Sequence, residues 1–210
     1  MTPMPIDELM ALQPVIPVLT VERVEDAIPL AEALVGAGLR VLEVTLRTPV
    51  ALDVIRSMHG VGGAVVGAGT VLNARDVEQA VAAGARFIVT PGLSSATVAA
   101  ARQANAPILP GVATATEIMA GLELGLERFK FFPAEQAGGL AMLNAFAGPF
   151  GAVRFCPTGG ITFASASAYL VRPNVSVIGG GWMAPKALVD ARDWSAIARL
   201  AEEAAALRKI

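Results

Sequence analysis

The chain has 210 residues, of which 54% are hydrophobic, 5% aromatic and 16% charged, and its net charge is −2. That length is one domain's worth, and the near-neutral balance offers no basic stripe of the kind a nucleic acid requires. Mean hydropathy is high at +0.59, yet Gly, Pro or a charge breaks every apolar run short of the roughly 18 residues a membrane-spanning helix needs.

Cys156 is the only cysteine and His59 the only histidine. An internal disulfide is therefore impossible, and a zinc site lacks its usual ligands. No metal or cofactor is expected, so the chemistry falls to Lys, Arg, Glu, Asp, Thr and the backbone. The opening MTPMPIDELM lacks the basic-then-apolar pattern of a signal peptide, and a cytoplasmic location is expected.

In chain order, Ile6–Leu12 reads as a short amphipathic helix. Apolar runs rich in Val, Ile and Phe then recur at Pro14–Thr20, Arg40–Leu46, Ala64–Ala68, Arg86–Thr90, Pro107–Pro110, Arg128–Phe132, Val153–Pro157 and Val175–Gly179. Their starts lie about 21 to 26 residues apart, the size of one strand-plus-helix unit. Between them, Glu22–Gly36, Ala74–Ala83, Ser94–Asn105, Thr116–Leu124 and Trp194–Leu207 carry helical spacing, and the first two end near a Gly suited to a C-cap.

Strict alternation implies parallel strands with helices outside. Eight units predict an α/β fold, a single (β/α)8 barrel over residues 1–210, with Ile6–Leu12 as an extra helix on its bottom. The competing open, doubly wound sheet commonly carries GxGxxG after its first strand when it binds dinucleotides. Nothing like that follows Pro14–Thr20.

Active sites of such barrels lie at the C-terminal ends of the strands. Glu43 and Arg47 end the second strand, Gly67-Ala68-Gly69-Thr70 the third, and Thr90-Pro91-Gly92 the fourth. Lys130-Phe131-Phe132-Pro133 ends the sixth, Thr158-Gly159-Gly160 follows the seventh, and Gly179-Gly180-Gly181 follows the eighth. In the second strand Leu42, Val44 and Leu46 share one face, which suits packing on helices, so Glu43, Thr45 and Arg47 turn inward. The alternative, a surface ion pair of Glu43 with Arg47 on an edge strand, has no edge to sit on in a closed barrel.

Lys130 sits among Phe129, Phe131 and Phe132, with Phe132 on its own face. Desolvation there disfavours the ammonium form, and a free amine is what attack on a ketone requires. The alternative is a strand-end lysine reaching to water. Gly159-Gly160 and Gly179-Gly180-Gly181 occupy the two loops that commonly cradle a phosphate with backbone N–H groups, and a Cβ at Gly180 is expected either to crowd that group or to disfavour a positive φ, if the turn uses one. His59 reads as a helix-end surface residue, Cys156 as a buried apolar one, and Glu135 as structural, at a helix start.

The segments VLEVTLRTP, VGAGTVLN, VTPGL, FKFFPAE, RFCPTGGI and IGGGW resemble those of the 2-keto-3-deoxy-6-phosphogluconate (KDPG) aldolases, in order and spacing over nearly the whole chain. The resemblance implies reversible cleavage of that substrate to pyruvate and glyceraldehyde 3-phosphate by a metal-free, Schiff-base mechanism. It makes Lys130 the imine-forming residue and Glu43 the proton-transfer residue. It further implies that Arg47 and Thr70 bind the pyruvate carboxylate, that Pro91 and Phe132 line the pocket, and that Thr158 sits near the pyruvyl group. Gly159, Gly160, Gly180 and Gly181 fall at the phosphate site. A homotrimer and a side activity on 4-hydroxy-2-oxoglutarate are also implied.

Many members carry Ser where this chain has Gly181, which removes a hydroxyl from the phosphate loop. The 6-phosphogalactonate aldolases are the nearest rival, and the Arg of TLRTP, where that group carries Asn, favours the gluconate enzyme. A phosphosugar isomerase or synthase on the same barrel would form no imine. A non-catalytic phosphosugar-binding barrel would have no use for a desolvated lysine.

Overall fold

The computed structural model describes residues 4–207. Its strands are β1 Val15–Leu19, β2 Val41–Thr45, β3 Val65–Gly69, β4 Ile88–Val89, β5 Ile108–Leu109, β6 Gly111–Val112, β7 Arg128–Phe131, β8 Arg154–Pro157 and β9 Ile178–Gly180. Its helices are α1 Ile6–Ala11, α2 Ala27–Gly36, α3 Ala51–His59, α4 Ala74–Ala82, α5 Ser95–Gln103, α6 Ala115–Glu123, α7 Gly139–Ala147, α8 Phe163–Leu170, α9 Lys186–Asp190 and α10 Trp194–Ala205. No helix among the described residues is long and apolar enough to cross a membrane.

The expected alternation is present and the paired strands run parallel. The ladder is divided, however, rather than one continuous ring. Six strands pair in the order β5-β4-β3-β2-β1-β9 and three in the order β6-β7-β8. One junction is Pro110, the last residue of the run expected at Pro107–Pro110, which separates β5 inside that run from β6 beyond it. It has no N–H to give a ladder, while its carbonyl accepts from the N–H of Lys130 at 2.9 Å. At the other junction, isolated bridges join Phe155 to Val175 and Thr158 to Gly179.

Alternation along the strands sorts side chains into two cores. Val15, Leu19, Leu42, Val44, Val66, Ala68, Ile88, Phe129, Phe131, Phe155 and Ile178 face outward onto the helices. Ile16, Val41, Phe87, Val89, Leu109, Cys156 and Val177 share an interior with Leu9 and Met10 of α1. Members of both sheets thus meet in one interior, and the extra N-terminal helix plugs its lower end. Gln13 completes the plug: its side chain donates to the carbonyls of Val15 (2.6 Å) and Val41 (2.9 Å) and accepts from the N–H of Val41 (2.8 Å).

Helix starts follow local capping. Thr114 and Glu117 form a capping box ahead of α6, which moves its start to Ala115 from the expected Thr116. The helix expected from Glu22 begins only at Ala27, after a 3-10 turn over Val24–Asp26. Buried Asp26 holds that turn, accepting from Arg23 Nε at 2.6 Å and Arg192 Nε at 2.9 Å.

Candidate active site

Lys130 on β7 and Glu43 on β2 both point into the interior near its upper rim, from different sheets. Lys130 Nζ lies 3.0 Å from Glu43 Oε1, and the two residues are only 5% and 3% exposed. Burying such a pair is costly, and the close contact of its two members offsets part of that cost. Glu43 does not pair with Arg47. The Phe132 ring covers the lysine, its centroid 5.2 Å from Nζ, within cation–π reach. Phe129 and Phe131 point the other way, into the outer core.

Glycines make the room. A Cβ on Gly69 would overlap the Glu43 carboxylate, and one on Gly111, the register partner of Lys130, would overlap the Pro91 carbonyl. Neither role was read from the sequence, although a glycine inside a strand signals close approach. Thr70 follows Gly69 with φ +57, a left-handed conformation that is strained for a β-branched residue. Such strain gathers at functional sites. Arg47 extends from the end of β2 into solvent and makes no hydrogen bond or ion pair with any described residue. Pro91 is half-buried beside Thr90, whose hydroxyl donates to the Gly92 carbonyl at 2.6 Å.

Thr158 is buried above Cys156, its hydroxyl 3.3 Å from the Cys156 carbonyl. A Cβ on Gly179 would overlap that hydroxyl. Gly159 and Gly160 follow at φ +106 and +78, which only glycine adopts freely. The Gly159 carbonyl accepts from the N–H of Glu135 at 3.1 Å. The N–H groups of Gly160, Gly181 and Trp182 donate to no described residue.

Gly180 departs from the expectation. It lies inside β9, paired with Pro17, on the outward face, and a Cβ there would overlap the Trp182 ring. A side chain at Gly180 therefore meets tryptophan before it meets any ligand. Gly181 is exposed, and its Cβ position is 3.3 Å from the Val18 carbonyl.

Glu135 is exposed and precedes α7 in a turn, where its Oε1 accepts from the Tyr169 hydroxyl at 2.6 Å. Burial, and then the Glu135 hydrogen bond and charge, push the Tyr169 phenol well above its usual range. His59 ends α3 at the surface, remote from the pair. One hollow of about 240 Å3 lies at the rim, lined by Val71, Thr90, Pro91 and Gly92, and another, of about 370 Å3, lies at the opposite end by α1, lined by Ile6, Ile108 and Leu126.

Comparison with known proteins gives the family. The KDPG and KHG aldolase family model matches residues 6–200. The 2-dehydro-3-deoxy-phosphogluconate aldolase of Zymomonas mobilis is 53% identical over 204 residues, covering 97% of each chain. A crystal structure of the Zymomonas mobilis enzyme with 3-phosphoglycerate superposes with a TM-score of 0.93 at 53% identity, covering 97% of this chain and 96% of that one. The KDPG aldolase of Legionella pneumophila, with pyruvate captured as a covalent carbinolamine, also superposes with a TM-score of 0.93. It is 43% identical, and the match covers 95% of this chain and 98% of that one. With its family model matched from the first helix into the last and its fold shared end to end with these enzymes, the chain belongs to the KDPG and KHG aldolase family.

Proposed function

We propose that this protein cleaves 2-keto-3-deoxy-6-phosphogluconate reversibly to pyruvate and glyceraldehyde 3-phosphate through an imine on Lys130. The observation that carries the reading is the buried contact of Lys130 Nζ with Glu43 Oε1 at 3.0 Å, in a family with a member captured as a covalent pyruvate carbinolamine.

The chemistry follows from that contact. Glu43 is placed to take a proton from the Lys130 ammonium, and the free amine attacks the C2 ketone. Loss of water leaves an iminium, an electron sink adjacent to C3. Glu43 removes the proton from the C4 hydroxyl, the C3–C4 bond breaks, and its electrons move to the nitrogen as glyceraldehyde 3-phosphate leaves. The enamine takes a proton at the former C3, and water releases pyruvate and the amine. One carboxylate serves these steps because its proton returns each time.

Arg47 and Thr70 bind the substrate carboxylate, Pro91 and Phe132 line the pocket, and Thr158 stands beside the pyruvyl group. The N–H groups of Gly159, Gly160 and Gly181 bind the phosphate, with Gly180 holding that loop through its backbone. The shared interior and the two junctions support reading the sheets as one closed eight-stranded barrel in a single domain. A homotrimer and activity on 4-hydroxy-2-oxoglutarate belong to the same proposal.

The test is pyruvate release, followed with lactate dehydrogenase and NADH, from the gluconate substrate and its C4 epimer, the galactonate. Release from the gluconate in preference is the expected result. Preference for the galactonate moves the assignment to the other epimer, and release from neither overturns the aldolase reading.

A further inference from the structure

The end of β1 presents a threonine hydroxyl whose orientation is set by a second threonine. Val15 and Leu19 face the outer core and Ile16 the interior, so Thr20 continues the interior face, at the exposed rim. Thr45, buried on the same face of β2 as Glu43, donates its hydroxyl proton to the Leu19 carbonyl at 2.9 Å and lies 3.0 Å from Thr20 Oγ1. A hydroxyl has one proton to give. Since that of Thr45 is committed to Leu19, Thr20 donates the bond between the two threonines. The lone pairs of Thr20 are left facing the mouth, where they accept and do not donate.

The sheet order places this acceptor. β1 lies between β2, which carries Glu43, and β9, which leads into Gly181, and the Gly181 turn approaches the Val18 carbonyl. The ledge is held from several sides. Thr48 Oγ1 donates to the Val21 carbonyl at 2.8 Å, Lys186 to Glu22 at 2.6 Å, and Arg192 to Asp26 at 2.9 Å. A substrate with its C4 hydroxyl at Glu43 and its C6 phosphate at the glycine turns carries C5 across the end of β1.

We infer that Thr20 accepts a hydrogen bond from the C5 hydroxyl of the substrate and is a specificity residue for that group; the inference rests on the aldolase reading. The test is condensation of pyruvate with D-glyceraldehyde 3-phosphate, whose C2 hydroxyl becomes the C5 hydroxyl, against 3-oxopropyl phosphate, which lacks it. Thr20→Val should lower kcat/KM for the hydroxylated aldehyde about three- to tenfold, the scale of one neutral hydrogen bond, and change the other by less than about twofold. Thr20→Ser should restore the preference. Equal losses on both aldehydes, no loss on either, or a selective loss that serine does not restore overturns the inference and leaves the aldolase reading standing. A native protein that condenses neither aldehyde overturns the aldolase reading itself.

Discussion

Lys130 Nζ reaches Glu43 Oε1 at 3.0 Å from one sheet to the other. The contact crosses the interior between the middle of one sheet and the middle of the other, and it places an amine and a carboxylate where little solvent reaches them. Removing one member of such a pair leaves the other charge buried and costs about 3–5 kcal/mol. Substitutions here therefore need a stability measurement beside every rate.

Pyruvate with borohydride should inactivate the protein and add one reduced pyruvyl group at Lys130, located by peptide mass mapping. Lys186 is an internal control. It is exposed, and a hydrogen bond to Glu22 holds its ammonium above the ordinary lysine range, so it has little free amine to react. A label on Lys186 in place of Lys130 would falsify the imine assignment.

Glu43→Gln keeps size and hydrogen bonding but removes the base. Turnover should fall by about 100-fold or more, while trapping of pyruvate by borohydride continues at a lower rate. Near-normal turnover would move proton transfer to another carboxylate, with Glu135 the next to test.

Arg47 is exposed and unpaired, so Arg47→Lys should change stability by no more than about 0.5 kcal/mol. Lysine cannot reproduce the planar fork that grips a carboxylate. The KM for pyruvate in condensation should rise while the melting temperature stays put. An unchanged KM would remove Arg47 from the carboxylate site.

The proposed phosphate loop contains two glycines with different surroundings. Gly180→Val forces a side chain into Trp182 and should lower the melting temperature and both activities, on phosphorylated and unphosphorylated substrates alike. Gly181→Ser adds a hydroxyl at the exposed turn, with mild crowding against the Val18 carbonyl. It should lower KM for the phosphorylated substrate by about three- to tenfold, part of what one hydrogen bond to a charged group can give, and leave 4-hydroxy-2-oxoglutarate unchanged. Equal effects of Gly181→Ser on both substrates would place the phosphate elsewhere.

The cap of α6 gives a pH signature away from the site. Burial raises the Glu117 carboxyl, but hydrogen bonds from the Ala113 N–H and from the Thr114 hydroxyl and N–H outweigh it and hold it below its ordinary value. A lowered folded value stabilises the protein above the ordinary glutamate range, and that gain is lost as pH falls through the folded value. Thr114→Ala should cost about 1 kcal/mol at neutral pH. Thermal melts of Glu117→Gln and the native protein should converge as the solution is acidified. A gap that widens on acidification would contradict the lowered value.

Much of this protein was legible as period and position. Alternation in Val41–Thr45 sent Glu43 inward because leucine and valine had to meet helices, and the spacing of eight apolar runs set the parallel α/β order. Local chemistry hid the smaller departures. Pro110, without an N–H, ended the fifth run and set β6 apart just beyond it, and Asp26, caught between two arginines, delayed the second helix.

The sequence by itself determined the strand–helix order, the inward parity of Glu43 and Lys130, and the glycine turn that follows β8, because each follows from backbone periodicity or from φ. Only the tertiary structure decided that Glu43 pairs with Lys130 rather than Arg47, that Gly69 and Gly111 clear space for the pair, and that Gly180 faces Trp182. It also decided that Thr20 offers an acceptor. These are relations between segments far apart in the chain, and they exist only once strand register and the packing of the two sheets have set their distances.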